Sequence, residues 1–172
     1  NDSYSQFGED MIIGGLLPEK NDGFFIDVGA HHPLRLSNTY HFYKMGWRGI
    51  NIDPMPGIKK VFDRQRPDDI NLEIGISSKP NKLKYYIFNE PALNTFDEKI
   101  KESWSNHEYF KLIDTKEIEV FTLSEILDKY VPHGLEIDFL NVDVEGLDLE
   151  VLKSNNWEKY KPKIVACEIH SA

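Results

Sequence analysis

Acids, a glycine and paired histidines stand where the short apolar runs of this chain end: Asp27 and Gly29 with His31 and His32, then Asp53, then Asp143 with Glu145, and finally Glu168 with His170. Gly29 follows the run Phe24 to Val28 at a turn where backbone without a Cβ can lie against a ligand. Asp53 closes the next run, about 24 residues further on, where a carboxylate can accept both hydroxyls of a ribose. A plain tight turn also uses a glycine, and Asp53 with Pro54 behind it can equally cap the following turn. The glycines of a G-x-G-x-x-G loop are replaced by Gly29-Ala30-His31-His32-Pro33-Leu34. A dinucleotide's pyrophosphate would find little room there.

The second cluster is Asn141-Val142-Asp143-Val144-Glu145-Gly146 with Glu168 and His170. In a doubly wound sheet the fourth strand lies beside the first and the fifth beside the fourth, so Asp143, Glu145, Glu168 and His170 converge near Gly29. Crowded carboxylates raise one another's pKa and make either a general base or a hard-cation site. The competing reading has Glu145 capping the next helix and Glu168 pairing locally. His31 and His32 do not read as a metal site, because neighbours on an extended stretch point apart and zinc needs further ligands at set spacings. One imidazole is expected to line the pocket while the other packs or meets solvent.

The elements that position these residues alternate between short apolar runs and helical patterns, the signature of a parallel sheet with helices on both faces. Strands are predicted at Phe24 to Val28, Gly49 to Asp53, Asn71 to Ser77, Phe139 to Val144 and Lys163 to Ile169. Ser37 can cap a helix that stops near Gly46; Pro56 suits the start of the next helix and Pro67 its end. Thr122-Leu123-Ser124-Glu125 has capping-box spacing, with Ile126, Leu127 and Tyr130 facing a core. A further helix follows Gly146, using Leu149 and Leu152. Residues 78–122 break the alternation and read as an insertion: β-like segments at Lys84 to Phe88 and Ile118 to Phe121 flank a stretch with Trp104, His107, Tyr109 and Phe110. It either folds over the binding edge or extends the core. Asn94, Thr95, Trp104 and Tyr109 are candidates for binding a sugar, or for the insertion's own small core.

The 172 residues, 40% hydrophobic and 12% aromatic, suffice for a single domain with one core. A net charge of -9 argues against a protein that grips nucleic acid through its phosphates. Lys59, Lys60, Arg64 and Arg66 read as a solvated helix face, and Cys167, the lone cysteine, as a buried inert thiol inside a strand. No apolar run approaches the ~18 residues of a membrane span, and the N-terminus has no signal-peptide pattern, so a cytoplasmic location is expected. The absence of an initial methionine and a stop just after a strand make the chain read as a piece of a longer protein.

Taken together, these residues resemble the FkbM-type S-adenosylmethionine-dependent methyltransferases. The matching pieces are Ser5-Gln6-Phe7-Gly8-Glu9-Asp10, Ile26-Asp27-Val28-Gly29-Ala30-His31-His32-Pro33, Ser37-Asn38-Thr39-Tyr40, Gly46-Trp47-Arg48-Gly49-Ile50-Asn51-Ile52-Asp53-Pro54 and Phe139-Leu140-Asn141-Val142-Asp143-Val144-Glu145-Gly146. The resemblance implies a Rossmann-like class I methyltransferase fold, with a central mostly parallel sheet whose last two strands this sequence is too short to hold. It also implies O-methylation of a hydroxyl on a sugar or related metabolite. Under it Asp27, Gly29 and the His31 loop border the methionine part of S-adenosylmethionine and Asp53 holds the ribose. Ile76 and Ser77 lie along the adenine, Asp143 sits near the transferred methyl, and Gln6 closes over the site. Asp143, Glu145 or His170 would be the base, with or without a divalent cation. Two rivals use the same features: a nicotinamide-dependent oxidoreductase with Asp53 on its ribose, and a non-catalytic domain that keeps the fold.

Overall fold

The structure, a computed structural model, describes residues 2–17 and 20–168. Strands β1 (Phe24–Val28), β2 (Arg48–Ile52), β3 (Ile70–Leu72), β7 (Phe139–Val142) and β8 (Ile164–Cys167) form a parallel sheet in the order β3-β2-β1-β7-β8. Chain order reverses beside β1, between its neighbours β2 and β7. There the loops leaving β1 and β7 diverge and open a crevice beyond the strand ends.

Side chains alternate across this sheet, and each parity has its own cover. Ile26, Val28, Ile50, Ile52, Leu140 and Val142 pack against Leu123, Ile126 and Leu127 of α5 (Leu123–Tyr130) and Val151 of α6 (Asp148–Lys153). On the opposite face Phe25 and Phe139 meet Ile13 of α1 (Glu9–Leu16), Phe42 of α2 (Tyr40–Lys44) and Trp47. Helix α3 (Ile58–Gln65) adds Phe62 to that side, its guanidinium-bearing successor Arg66 lying over the rings of Phe25 and Phe62. Helix α5 begins with the expected capping box, Thr122 and Glu125 each bonding the other's backbone N–H.

The second face carries an unusual polar tier. Asp27 pairs in register with Asn51 and with Asn141, and Asn51 with Asn71, so four neighbouring strands each put a polar side chain at one level. All four are buried, and a buried polar group is tolerated only when bonded. Arg66, fully buried, supplies much of the bonding: Nε donates to Asp69 Oδ2 at 2.9 Å and Nη1 to Thr39 Oγ1 at 3.0 Å. Its remaining Nη2 has no hydrogen-bond partner among the described residues. The guanidinium carbon stands 5.1 Å from the ring centres of both Phe25 and Tyr43, which adds cation–π attraction.

Several expectations need correction. Arg66 is no solvated residue, because the chain turns after α3 and carries it under the sheet face. Cys167 is exposed, since β8 is an edge strand in the described structure. The strand predicted from Asn71 to Ser77 splits into β3 and β4 (Gly75–Ile76), which belong to different sheets. In α6 it is Val151, fully buried, that anchors the helix with Leu152 against the core, while Leu149 is 61% exposed. Helix α2 starts at Tyr40, two residues later than a Ser37 cap implies, although Ser37 Oγ still accepts the Tyr40 N–H at 3.1 Å.

Region 78–122 holds β5 (Asn81–Phe88), α4 (Glu98–Ser105) and β6 (Leu112–Phe121). β5 and β6 pair antiparallel, and β6 pairs parallel with β4, giving a three-stranded second sheet. Because β4 follows directly from β3, this sheet is hung beside the crevice.

Replacing Arg66 by Met leaves Asp69 buried without its cation. Urea unfolding should show a loss of about 3–5 kcal/mol, partly recovered when Asp69→Asn is added.

Candidate active site

Beyond the ends of β1, β2 and β7 lies a cleft of about 900 Å³, counting its solvent-open part. Its walls come from the β1 turn (Asp27 to His31), the β2 end (Asp53, Pro54), the β4 segment (Ile74 to Ile76), the β7 end (Asp143 to Glu145) and residues 36–38. Region 78–122 closes one side with Tyr85, Pro91, Ala92, Asn94 and Phe96. Gln6 reaches the cleft from the N-terminal segment. That segment is tied down by Asp10, which accepts from Ser3 Oγ at 2.6 Å, Tyr4 N at 2.7 Å and Ser5 Oγ at 2.9 Å. Burial works against the Asp10 anion, but the donors from Ser3, Tyr4, Ser5 and Met11 outweigh it and hold the carboxyl below its usual range.

The β1 turn spends its own amides. Gly29 and Ala30 N–H both donate to the Ile52 carbonyl, His31 N–H to Asp53 Oδ2 at 2.8 Å, and His32 N–H to the Ala30 carbonyl. Leu34 and Arg35 N–H both donate to His32 Nδ1 at 3.1 Å, and Pro33 has none. His32 is therefore a loop cap that must stay neutral at Nδ1; burial, with Arg35 and His31 nearby, lowers its pKa. His31 takes a positive φ of 52° and lines the cleft. Gly29 has φ 81°, and a Cβ there would run into the Asp143 carbonyl oxygen, so β1 and β7 close up only with glycine at this point.

Asp53 Oδ1 accepts the Met55 N–H at 2.8 Å. With His31 on Oδ2, both oxygens hold the turn, and each keeps a lone pair for a ligand hydroxyl. Burial pushes the carboxyls of Asp53 and Asp27 above the ordinary range. Asp27 accepts from Thr39 Oγ1 at 2.6 Å and from Asn141 Nδ2 at 2.9 Å. Tyr85, also buried, has its phenol pushed well above its ordinary value by burial and by Asp53, so it presents a neutral hydroxyl.

On the β7 side, Asp148 braces the loop by accepting from Val144 N and Gly146 N. Thr95 Oγ1 donates to the Glu145 carbonyl at 2.7 Å, fastening the same loop to region 78–122. One carboxylate oxygen from each of Asp143, Glu145 and Glu168 falls within 4.8 Å of the other two. Asp143 is open to solvent at the cleft, yet the concave wall around it and the charges of Glu168, Glu145 and Asp148 push its carboxyl up to about 8.

Of the residues singled out in the sequence, Gln6, Asp27, Gly29, His31, Asp53, Ile76, Asn94, Asp143 and Glu145 line this cleft. Ser77 and Thr95 do not: the first gives its N–H to the Phe121 carbonyl, and the second is 1% exposed and holds the β7 loop. Glu168 joins the Asp143 cluster, and His170 lies outside the described residues. The row Asn71, Asn51, Asp27, Asn141 was missed as a unit, although it left a signal. Asn51-Ile52-Asp53, Asn71-Leu72-Glu73 and Asn141-Val142-Asp143 repeat one pattern, a buried amide two residues before an acid at a strand end.

A parallel sheet flanked by helices, with a cleft at its switch point and acids at the strand ends, defines a Rossmann-like methyltransferase fold. A family model described as the methyltransferase FkbM domain matches residues 27–172, and the chain belongs to that family. The match starts at Asp27, so the Ser5 to Asp10 piece lies outside it. No curated protein and no solved structure matches the chain. No helix among the described residues is long and apolar enough to cross a membrane.

Because the Asp143 carboxyl titrates near 8 when folded and near 4 when unfolded, folding takes up a proton between those values. The cost of holding it grows as pH rises from 4 to 8 and then levels off. Asp143→Asn should thus raise the melting temperature over the parent by an increasing margin from pH 4 to 8, measured by calorimetry. Gly29→Ala should unfold at lower urea and lose ligand binding together.

Proposed function

We propose that this chain is an S-adenosylmethionine-dependent methyltransferase acting on a hydroxyl of a sugar or related small metabolite. The observation that carries the cofactor reading is the state of the β1 turn. Its amides at residues 29–32, 34 and 35 are all consumed internally, and the next helix starts only at Tyr40. A pyrophosphate needs free N–H groups at a helix N-terminus. The β1 turn at residues 29–35 offers none, and the cleft is lined by Asp27, Asp53, Asp143 and Glu145. That lining suits a sulfonium cation and disfavours a nicotinamide dinucleotide.

In this reading Asp53 accepts the ribose hydroxyls and Ile74, Gly75 and Ile76 lie along the adenine. The reacting methyl comes to the Asp143 side of the crevice. S-adenosylmethionine held there would supply a methyl group on a sulfonium, a good leaving group; the chain's part would be to align the acceptor oxygen with that methyl and to take up the acceptor's proton. Alignment supplies much of the rate. Asp143 is the best-placed base, with a proton affinity near the working pH; Glu145 and His170 are the other candidates. The three clustered carboxylates are also a donor set of the hard-cation kind, and a divalent cation bound there would lower the acceptor hydroxyl's pKa. Asn94, with Pro91, Ala92 and Phe96, is the part of region 78–122 offered to bound molecules.

Calorimetry should show S-adenosylhomocysteine binding while NAD at the same millimolar concentration does not; the reverse preference would overturn the cofactor reading. Binding of neither would favour a domain that keeps the fold without catalysis. With a panel of hydroxyl-bearing sugars, Asp143→Asn should cut methyl transfer by roughly 10²–10⁴-fold while S-adenosylhomocysteine still binds.

A further inference from the structure

The stretch Ser37-Asn38-Thr39-Tyr40 has no role in the scheme above, yet it is bonded into the site through a directed chain. Arg66 Nη1 donates to Thr39 Oγ1 at 3.0 Å, and Thr39 Oγ1 donates to Asp27 Oδ2 at 2.6 Å. From the other side Asn141 Nδ2 donates to Asp27 Oδ1 at 2.9 Å, and Asn38 Nδ2 donates to Asn141 Oδ1 at 3.0 Å. A guanidinium only donates and a carboxylate only accepts. Those two groups fix the sense of every bond between them and beyond: the Thr39 proton must point at Asp27, Asn141 must turn its amide nitrogen to Asp27, and Asn38 must turn its own to Asn141.

Asn38 is thereby left with its Oδ1 as an acceptor, beside the second N–H of its Nδ2. The bond of the Asn38 side chain among the described residues is the one from its Nδ2, and Asn38, half-buried, lines the cleft. Asn38 joins the relay at Asn141 on β7, and β1 with Gly29 at its end lies between β7 and the β2 strand that leads to Asp53. With the ribose on Asp53, the amino-acid end of the cofactor comes to this side. Of that end's groups, only the ammonium can donate to a carbonyl oxygen; the carboxylate and the sulfur cannot.

We propose that Asn38 is a cofactor-binding residue whose Oδ1 accepts a hydrogen bond from the cofactor's ammonium group, with Thr39 and Asn141 as positioning residues that hold the amide in that orientation. The inference rests on the S-adenosylmethionine reading.

The test compares S-adenosylhomocysteine with 5′-methylthioadenosine, which has the same nucleoside and sulfur but no amino-acid end, by calorimetry on the full chain. Asn38→Ala should weaken S-adenosylhomocysteine about 10- to 100-fold, as expected for a hydrogen bond to a charged group, and leave 5′-methylthioadenosine unchanged. Thr39→Val should weaken the first ligand selectively in the same sense, and Thr39→Ser, which keeps the hydroxyl, should restore it. The Thr39 pair reads positioning even where the Asn38 variant folds poorly. Equal loss for both ligands, or no loss for either, would overturn the proposal. So would unchanged binding of both with a raised KM for the acceptor, which would assign the oxygen to an acceptor hydroxyl. If the parent chain binds 5′-methylthioadenosine but gains nothing from the amino-acid end, the ammonium contact is wrong while the nucleoside site stands. If it binds neither ligand, the cofactor reading falls and this one with it.

Discussion

Burying Arg66 and Asp69 beneath the sheet is the constraint on which the rest of this structure depends. An isolated buried charge is very costly, so each must be compensated by a charge or by donors at close range. Here the compensation spreads along the sheet: Arg66 to Asp69 and Thr39, Asp69 to Asn51 and the Gly49 N–H, Asn51 to Asn71, and Thr39 to Asp27. The tier uses the parity of side chains opposite to the aliphatic layer under α5 and α6. One face of the sheet is thus a conventional apolar core, and the other is a bonded lattice with aromatic rings around it.

The same parity builds the cleft. Two residues beyond the level of the polar tier, each just past its strand's end, stand Asp53 after β2, Gly29 after β1, Asp143 after β7 and Glu168 after β8. The backbone bonds that continue past the strand ends keep them in step: Asp143 N–H to Val28 O, Glu168 N–H to Val142 O and Asp53 N–H to Leu72 O. The gap in this second row is Gly29, and the gap is the crevice. Acids on both sides of a bare backbone turn make a pocket for a polar or cationic ligand. The internally satisfied amides of residues 29–35 leave that turn without donors for a phosphate. The double histidine and proline that replace the glycines therefore have a physical role: His32 caps the loop, Pro33 lacks an N–H, and His31 is left to line the pocket.

Region 78–122 completes the cleft without contributing to the five-stranded sheet. Its second sheet is attached through β4, and Thr95 pins the Glu145 carbonyl, so the loop that carries the acidic cluster is held from both sides. Asn94 illustrates how such a region is fitted. Its Oδ1 accepts the Phe88 N–H at 2.8 Å, where the β5–β6 register shifts.

Much of this was legible in the chain itself. The strand positions, the residues at the strand ends and the α5 capping box follow from period-two and helical patterns together with local turn chemistry, which depend on near neighbours in sequence; strand order and the switch point were expected from the doubly wound arrangement that the alternation of strands and helices implies. The acids Asp53 and Asp143 and the glycine between their strands could be placed for that reason. The burial of Arg66, the exposure of Cys167 and the break between β3 and β4 could not. Each depends on which segment, distant in sequence, comes to lie against it, and an arginine after a basic helix looks the same whether it meets water or the underside of a sheet. The relay from Arg66 to Asn38 belongs wholly to tertiary structure. Its members are ordinary polar residues until the sheet register brings Asp27 and Asn141 side by side, and only then do the fixed donor and acceptor characters of an arginine and an aspartate decide which atom of Asn38 bonds Asn141.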